Sequence, residues 1–267
     1  MNILLLTSCN RIKQVLLSLS INAQIIEERF SVVIVDSSTP GVDAEKACAM
    51  HQSQDPYNVV KPHNYCSDVD MLYDAAKWFP QVEQFKVLHF SPRLDKQRGE
   101  ATSIGLGLMQ AALMGGREQS KHNFCLKLTG TSILMKDMVS VLPEYLAHAD
   151  ALTWHRANIG GEERSTRIFG CRPDVLAGLV ANEGWGDWCD DATGILEQRF
   201  AKFLNRSVGE DRINYTGLSE DGFLLEGGMA MQDIYGRYRI EKLIEQFDIN
   251  TYSTPYLKEF AKGGIWQ

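Results

Sequence analysis

Residues 2–41 read NILLLTSCNRIKQVLLSLSINAQIIEERFSVVIVDSSTPG and contain two apolar runs separated by an amphipathic stretch. The runs, Asn2–Thr7 and Phe30–Val35, are typical of strands buried on both faces of a sheet. Apolar residues recur at helical spacing between them and predict a helix over Ile12–Arg29. Because a strand–helix–strand connection is right-handed, the two strands should be parallel. The polar loops after the strands then lie at the carboxyl edge of the sheet, where open α/β sheets bind ligands.

The same alternation of strands and helices continues along the chain. Further strands are predicted at Tyr57–Val60, Phe85–Phe90, Phe124–Leu128, Ala151–His155 and Arg167–Gly170, and further helices at Asp43–Gln52, Ser67–Trp78, Glu100–Met114, Met138–Leu146 and Ile195–Leu204. Ser67 is the expected cap of its helix, and Ser91–Gly99 is a predicted polar loop. We expect a single α/β domain over residues 1–267, with a mostly parallel central sheet flanked by helices and an irregular, helical C-terminal half.

Composition argues against several classes of protein. The 267 residues are 44% apolar and 23% charged, as in soluble globular proteins. A net charge of −7 argues against a broad basic surface for nucleic acid. No apolar stretch of about 18 residues occurs, so no membrane-spanning helix is expected, and Met1–Thr7 indicates a strand and not a signal peptide. Six cysteines without a CxxC pair favour free thiols and a cytoplasmic location.

Several common ligand-binding motifs are absent. Neither a GxxxxGK[ST] string nor a GxSxG string occurs, which argues against a Walker A loop and a hydrolase nucleophile elbow. Gly105-Leu106-Gly107 starts a GxG string, but Gln110 stands where the third glycine is needed, and the segment lies inside a predicted helix. A Rossmann dinucleotide site is therefore not expected. The six histidines are dispersed and form no HExxH string, so no zinc site is expected either.

Four strings together resemble the GT-A class of nucleotide-sugar glycosyltransferases. They are Ile3–Arg11, Val33–Ser38, Arg98–Ala101 at a predicted helix start, and Phe124–Thr131. Their order matches the order of elements in that class. The resemblance implies a GT-A-like, Rossmann-like fold in which residues 1–150 bind the nucleotide sugar and residues 151–267 form the acceptor side.

In the GT-A class, the loop after the first strand and the Asp after the second strand hold the base and ribose of the donor. The resemblance thus assigns donor binding to three strand tips and one helix start, namely Thr7, Ser8, Arg11, Asp36, Ser37, Arg98, Lys127, Thr129, Gly130 and Thr131. As an alternative, Asp36 is only a turn former. Lys127 is costly to bury unpaired within an apolar strand, so a bound phosphate or an acidic partner is expected beside it.

The strand that ends near Thr129 departs from the class in one respect. GT-A enzymes carry a DxD motif there, whose carboxylates hold Mg²⁺ or Mn²⁺ on the diphosphate. This chain has Thr129-Gly130-Thr131 instead, with no carboxylate from Phe124 to Met135. Some glycosyltransferases that resemble this one carry a Lys-x-Thr/Ser-Gly string there and work without a metal. We therefore expect no metal cofactor, and a magnesium or manganese ion is the alternative.

Without a metal, basic side chains must neutralise the leaving diphosphate. The candidates are Lys127, Arg98, Arg93 and Arg11, with Arg164 and Arg167 as further ones. A literal DxD string does occur at Asp68-Val69-Asp70, but it lies in a predicted helix too early in the chain.

A reaction that inverts the anomeric centre needs a base on the acceptor side, usually a carboxylate. Glu220-Asp221 resembles the acidic pair that many GT-A enzymes carry in their acceptor half, which makes Asp221 the first candidate. Glu220 and Glu197 are the other candidates for the catalytic carboxylate. Asp190-Asp191 and Glu210-Asp211 compete with them.

The residues and the resemblance together predict a cytoplasmic glycosyltransferase of glycan biosynthesis, inverting and metal-independent. It would move a sugar from a nucleotide-diphosphate sugar to a hydroxyl group of a glycan or a lipid-linked acceptor. A sugar-phosphate nucleotidyltransferase is an alternative, although the loop Thr7–Arg11 lacks the glycines that such enzymes carry. A non-catalytic module that binds nucleotide sugars or glycans is the other alternative.

Overall fold

The structure is a computed structural model that describes residues 2–41, 43, 45–46, 49, 66–91, 96–119, 124–130, 133–134, 148–155, 164–182, 196–219 and 224–225. The strands in these ranges are β1 (Asn2–Ser8), β2 (Phe30–Asp36), β3 (Phe85–His89), β4 (Cys125–Thr129), β5 (Ile133–Leu134), β6 (Ala151–His155), β7 (Arg164–Cys171), β8 (Ile213–Ser219) and β9 (Leu224–Leu225). The helices are α1 (Ile12–Ile21), α2 (Ala23–Arg29), α3 (Asp70–Ala75), α4 (Lys96–Gln119), α5 (Pro173–Asn182) and α6 (Leu196–Ser207). Short 3-10 turns lie at Ala76–Trp78 and Glu210–Arg212.

Seven of the described strands form one sheet in the order β3-β2-β1-β4-β7-β6-β8. β1 pairs in parallel with β2 and β4, and β2 pairs in parallel with β3. β7 runs antiparallel to both of its neighbours, while β6 and β8 are parallel to each other. β5 and β9 form a separate antiparallel pair. The predicted α/β fold with a mostly parallel central sheet is confirmed.

The chain reverses direction across the sheet at β1. It moves outward from β1 through β2 to β3, and then returns to place β4 on the other side of β1. In open α/β sheets, such a switch point leaves a crevice outside the carboxyl ends of the two strands, where ligands bind. The carboxyl ends of β1 and β4 are therefore where a site is expected.

Both faces of the sheet are covered by helices, as continuous apolar strands require. Alternate β1 residues point to opposite faces. Leu4 and Leu6 pack with the apolar residues of α1 and α2, whereas Ile3 and Leu5 pack with those of α4, α5 and α6. The core of the described chain thus consists of two apolar layers with the sheet between them.

Several predicted boundaries are wrong. Both α4 and β7 extend beyond their predicted ends, over Lys96–Gln119 and Arg164–Cys171. The helix over Ile12–Arg29 is divided at Asn22, whose side-chain amide donates to the Ser18 carbonyl oxygen at 2.8 Å and so competes with the helical pattern. The helix expected from Ser67 begins at Asp70 and has no side-chain cap. The predicted loop Ser91–Gly99 is shorter, because α4 already begins at Lys96.

Helix α5 and strand β8 were not predicted. Pro173 at the first position of α5 was an available signal, because proline is favoured there. The predictions for Tyr57–Val60 and Met138–Leu146 lie outside the described residues, and most of Asp43–Gln52 does too. Among the described helices, none is long and apolar enough to cross a bilayer.

Candidate functional site

The tips of β1, β2 and β4 meet at the carboxyl edge of the sheet. The Ser37 amide donates to the Ser8 carbonyl oxygen at 2.8 Å, and the Gly130 amide donates to the Thr7 carbonyl oxygen at 2.8 Å. The strand register places Ser8 opposite Asp36. Backbone hydrogen bonds thus continue past the ends of the strands and fix the three polar tips side by side.

Asp36 ends β2, and its carboxylate is turned into the protein. The residue is 0% exposed. Its carboxylate accepts hydrogen bonds from the Ser38 amide at 3.0 Å and the Ser38 hydroxyl at 2.8 Å. His89 Nδ1 lies 3.1 Å from the same carboxylate. In this arrangement the buried carboxylate fixes Ser38 and His89, and His89 is the partly exposed member of the network.

His89 lies at the candidate site and was not identified from the sequence. It ends β3 directly opposite Asp36 in the parallel register, and 22% of its side chain is exposed. A polar residue at the end of a buried parallel strand was the signal that could have identified it, because that edge of the sheet is the ligand edge.

The loop after β1 is held against the loop after β2. The Asn10 amide donates to Ser38 Oγ at 2.7 Å, and Asn10 Oδ1 accepts from the Thr39 amide at 3.0 Å. Asn10 has a φ of 54°, which asparagine tolerates better than most residues. Cys9 is exposed, and its Sγ lies 3.6 Å from the Ser37 carbonyl oxygen.

Two hydroxyl groups at the strand tips are buried without a protein partner. Within the described part of the chain, neither Ser8 Oγ nor Thr129 Oγ1 has a hydrogen-bond partner. Buried polar atoms are nearly always satisfied in native proteins, so such orphans call for an explanation. By the alternation of strand residues, Ser8 lies on the α1 face of the sheet and Thr129 on the α4 face, so a polar ligand would have to lie across the carboxyl ends of β1 and β4 to reach both hydroxyls.

Gly130 forms the tip of β4, and there is no room for a side chain. A Cβ at this position would lie 2.8 Å from Val15 Cγ2 and 3.0 Å from the Thr7 carbonyl oxygen. The tip therefore offers only backbone and the Thr129 hydroxyl to a ligand. Thr131 follows in the sequence but lies outside the described residues.

Lys127 lies two residues before the tip of β4 and is completely buried. Its ammonium group donates to Glu100 Oε1 at 3.4 Å and to the Thr166 carbonyl oxygen. The structure thus supplies an acidic partner, one of the two neighbours that the sequence predicts for this lysine. Burial lowers the pKa of Lys127 by disfavouring its charged form, and the nearby carboxylate of Glu100 opposes this effect.

Further charges surround this pair. The carboxylate of Glu197, in the first turn of α6, acts favourably on the Lys127 ammonium, and the Arg167 guanidinium acts against it. Glu197, predicted as a candidate catalytic carboxylate, lies in the first turn of α6, the helix that packs on the same face of the sheet as α4. Its catalytic role stays a prediction.

The two arginines predicted for the donor lie at the starts of helices. Arg11 precedes α1, and its backbone bridges to Cys66. Arg98 is exposed in the first turn of α4. Asp68 and Asp70 are both exposed near the start of α3. Within the described ranges, no three His, Cys, Asp or Glu side chains lie close enough together to hold a metal ion.

The remaining candidates divide into three groups. Arg164 and Arg167 both lie in β7. Glu210 and Asp211 are exposed in the turn that precedes β8, at the amino edge of the sheet. The other acidic and basic candidates lie outside the described residues, namely Arg93, Asp190, Asp191, Glu220 and Asp221.

Comparisons with known proteins give matches by structure alone. No protein-family model and no curated protein matches the sequence. The chain is similar to the structure of the galactosyltransferase LgtC in complex with donor and acceptor sugar analogs, with 10% identity over 80% of this chain and 73% of LgtC and a TM-score of 0.43.

Two further structures are similar to this chain. One is a glycosyltransferase involved in the glycosylation of the major capsid of PBCV-1, with 13% identity over 92% of this chain and 89% of that one and a TM-score of 0.38. The other is a protein of Desulfovibrio desulfuricans G20 assigned as a nucleotide-diphospho-sugar transferase, with 12% identity over 98% and 97% of the two chains and a TM-score of 0.43. The three structures are thus all described as sugar transferases.

Proposed function

We propose that this protein is a glycosyltransferase that moves a sugar from a nucleotide-diphosphate sugar to a hydroxyl group of a glycan or a lipid-linked acceptor. The observation that carries the proposal is the meeting of polar tips at the switch point between β1 and β4. Ser8 Oγ and Thr129 Oγ1 are buried there without a partner in the described chain. Such a crevice suits a ligand that is rich in hydroxyl and phosphate oxygens.

The donor is assigned to the residues that line this edge. Thr7, Ser8, Asp36 and Ser37 take the nucleoside, with His89 added as a neighbour of Asp36. The diphosphate is assigned to the tip of β4 and to the basic residues of the loops and helix starts, namely Thr129, Gly130, Thr131, Arg11 and Arg98. Lys127 is also part of the donor site, although its burial means that it acts from beneath the crevice.

The proposed reaction needs no metal. Gly130 has no room for a carboxylate side chain, and its two neighbours in sequence are threonines. The residues at this tip therefore do not fit a hard divalent ion, which prefers several carboxylate and carbonyl oxygens. Positive charge on Arg11 and Arg98 would stabilise the leaving diphosphate instead.

The proposed chemistry is a direct displacement that inverts the anomeric centre. A carboxylate base takes the proton of the acceptor hydroxyl as its oxygen attacks, and the nucleoside diphosphate leaves. Asp221 is the first candidate for the base, followed by Glu220 and Glu197. We place the reaction in the cytoplasm, and the four cysteines in the described ranges are free thiols.

A thermal-shift panel tests the donor assignment. UDP, GDP, CDP and their hexose conjugates are added with Mn²⁺ or with EDTA, because a ligand of the native state raises the melting temperature. We expect one nucleotide and its sugar conjugate to raise it equally well in EDTA. A shift that EDTA abolishes would overturn the metal-free proposal, and no shift with any nucleotide would overturn the donor site.

An assay of sugar transfer distinguishes a glycosyltransferase from the two alternatives, a nucleotidyltransferase and a non-catalytic binding module. Wild-type protein with the bound donor and a mixture of glycan and lipid-linked acceptors should release the nucleoside diphosphate. Release of inorganic pyrophosphate from a nucleoside triphosphate and a sugar phosphate would identify a nucleotidyltransferase. Binding of the donor without turnover on any acceptor would identify a non-catalytic module.

A further inference from the structure

Lys127 and Glu100 form a pair in which one partner is hidden and the other reaches the surface. The lysine side chain is 0% exposed, whereas 28% of the glutamate side chain is exposed. The ammonium group contacts Glu100 Oε1 and the Thr166 carbonyl oxygen. A fully buried ammonium whose hydrogen bonds go to protein oxygens is a poor direct ligand for a diphosphate, but it can fix the position of its partner.

Glu100 lies at the rim of the crevice. It is in the first turns of α4, next to Gly99, where a Cβ would lie 4.0 Å from Ser37 Oγ. Lys127 shares a face of β4 with Thr129, whose Oγ1 has no partner within the described chain. Glu100 therefore borders the same space as the orphan hydroxyl.

We infer that Glu100 binds hydroxyl groups of the sugar being transferred, and that Lys127 is the positioning residue that holds it. This inference rests on the proposed function and names a specificity-determining residue for it. A carboxylate accepts hydrogen bonds from sugar hydroxyls and repels phosphate oxygens, so it suits the sugar and not the diphosphate. A single carboxylate that is already paired with an ammonium group is also a poor ligand set for a divalent ion.

The test measures how much the sugar adds to donor binding. Calorimetry gives Kd for UDP, GDP and CDP and for UDP-glucose, UDP-galactose, GDP-mannose and CDP-glucose. The variants are Glu100→Gln, Lys127→Met and the double variant. Matched controls are Glu83→Gln, an exposed carboxylate before β3, and Lys86→Met, an exposed lysine on β3.

Glu100→Gln should keep the affinity for the free nucleoside diphosphate and lose affinity for the sugar conjugate by about tenfold or more, the cost of hydrogen bonds to a charged group. Lys127→Met should do the same, and the double variant should be no worse than either single variant, because both changes remove one interaction. Equal weakening of diphosphate and conjugate by Lys127→Met would make Lys127 a diphosphate ligand and overturn the inference. The control variants should bind as wild type.

The variants also separate the inference from the proposed function. Wild-type protein that binds no nucleotide sugar refutes both. Wild-type protein that binds one, while Glu100→Gln leaves the sugar contribution unchanged, refutes the inference alone. A purely structural role for Lys127 would lower the melting temperature of Lys127→Met without a sugar-specific loss, and this result would also refute it.

Discussion

At Gly130 the backbone passes so close to its neighbours that even a methyl group has no room. In Gly130→Ala the new Cβ would lie 2.8 Å from Val15 Cγ2 and 3.0 Å from the Thr7 carbonyl oxygen. Because one of these atoms belongs to the backbone, the tip of β4 must shift. We expect the free energy of unfolding to fall by about 1–3 kcal/mol, the usual cost of overpacking. Urea unfolding measures this loss, and donor affinity should fall with it.

Gly178→Ala is the matched control for this change. Gly178 lies in α5, and a Cβ there meets nothing within 4 Å. Alanine in an open helical position should raise the free energy of unfolding by about 0.5–1 kcal/mol. The steric interpretation of Gly130 fails if both substitutions change stability in the same direction.

Asp36 combines a structural role with the proposed role in binding the nucleoside. Asp36→Asn replaces one carboxylate oxygen with an NH₂ group, which donates hydrogen bonds instead of accepting them. That NH₂ group would face the Ser38 amide, the Ser38 hydroxyl or His89, which lie against the carboxylate in the wild type. We expect a loss of about 1–3 kcal/mol in the free energy of unfolding, the cost of an unsatisfied buried group, together with weaker nucleoside binding. Asp74→Asn is the control, because Asp74 forms an exposed pair with Lys77. Similar denaturation midpoints for both variants would contradict this.

The sequence predicts the position of Asp36 in the fold, but it does not predict the hydrogen-bond partners of its carboxylate. A carboxylate after a buried parallel strand is expected at the ligand edge, and it is found there. Its partner His89 comes from a strand 53 residues later, and only the register of β2 against β3 brings the two together. In the same way, burial of Lys127 predicts an acidic neighbour, but the packing of α4 on β4 selects Glu100.

At the scale of elements, the packing of α4 on β1 depends on Gly107. A Cβ at this position would lie 2.2 Å from Leu5 Cδ1, which is fully buried. Gly107→Ala should therefore push the helix from the sheet or force Leu5 from its rotamer, and we expect a loss of about 1–3 kcal/mol in the free energy of unfolding.

The double variant Gly107→Ala with Leu5→Ala identifies the cause. Leu5→Ala alone should cost about 2–5 kcal/mol through the cavity it leaves. If the two side chains compete for one space, the double variant should lose less than the sum by at least about 0.5 kcal/mol. Strict additivity of the two losses would place the strain elsewhere.

Element boundaries show where sequence patterns stop being informative. The boundaries of β1 and β2 were predicted to within a residue or two, because a strand that is buried on both faces is a continuous apolar run in the sequence. The first turn of α4 is polar and basic, so periodicity does not distinguish it from a loop, and Arg98 was expected outside the helix. Strand β8 was not predicted. Its sequence, INYTGLS, mixes polar and apolar residues, and the pattern does not show where a strand begins or ends.

At the scale of the whole molecule, the amino edge of the sheet holds a cluster of charged side chains, and the proposed donor site lies at the opposite edge. At the amino edge, Asp150 accepts from Arg212 Nε at 3.0 Å and from a second Arg212 nitrogen at 2.8 Å, and Arg172 lies 3.5 Å away. This pairing raises the pKa of Arg212. Asp150→Ala should lower the melting temperature, because two arginines lose a shared partner between β6, β7 and β8.

Donor affinity should not change in Asp150→Ala, because the proposed site lies at the opposite edge. Thermal unfolding and calorimetry on the same preparation measure both quantities. Asp211→Ala is the control, since Asp211 is exposed next to Arg212. A large loss of donor affinity in Asp150→Ala would show that the two edges are coupled.

The pH dependence of global stability provides a separate measure of the cost of burying Lys127. Because burial lowers the pKa of Lys127, the unfolded chain binds this proton up to higher pH than the native chain does. The stability of the wild type should therefore rise, relative to Lys127→Met, between the lowered pKa and the ordinary lysine value of about 10.4. Below that window both states hold the proton, the full cost of burying the charge remains, and Lys127→Met should be at least as stable as wild type.

Urea unfolding at pH 7 and pH 9.5 measures the difference in the free energy of unfolding between wild type and Lys127→Met. The control Lys86→Met, which removes an exposed lysine, should show no such trend. A wild-type advantage that is largest at pH 7 and shrinks as pH rises would mean that pairing with Glu100 outweighs desolvation.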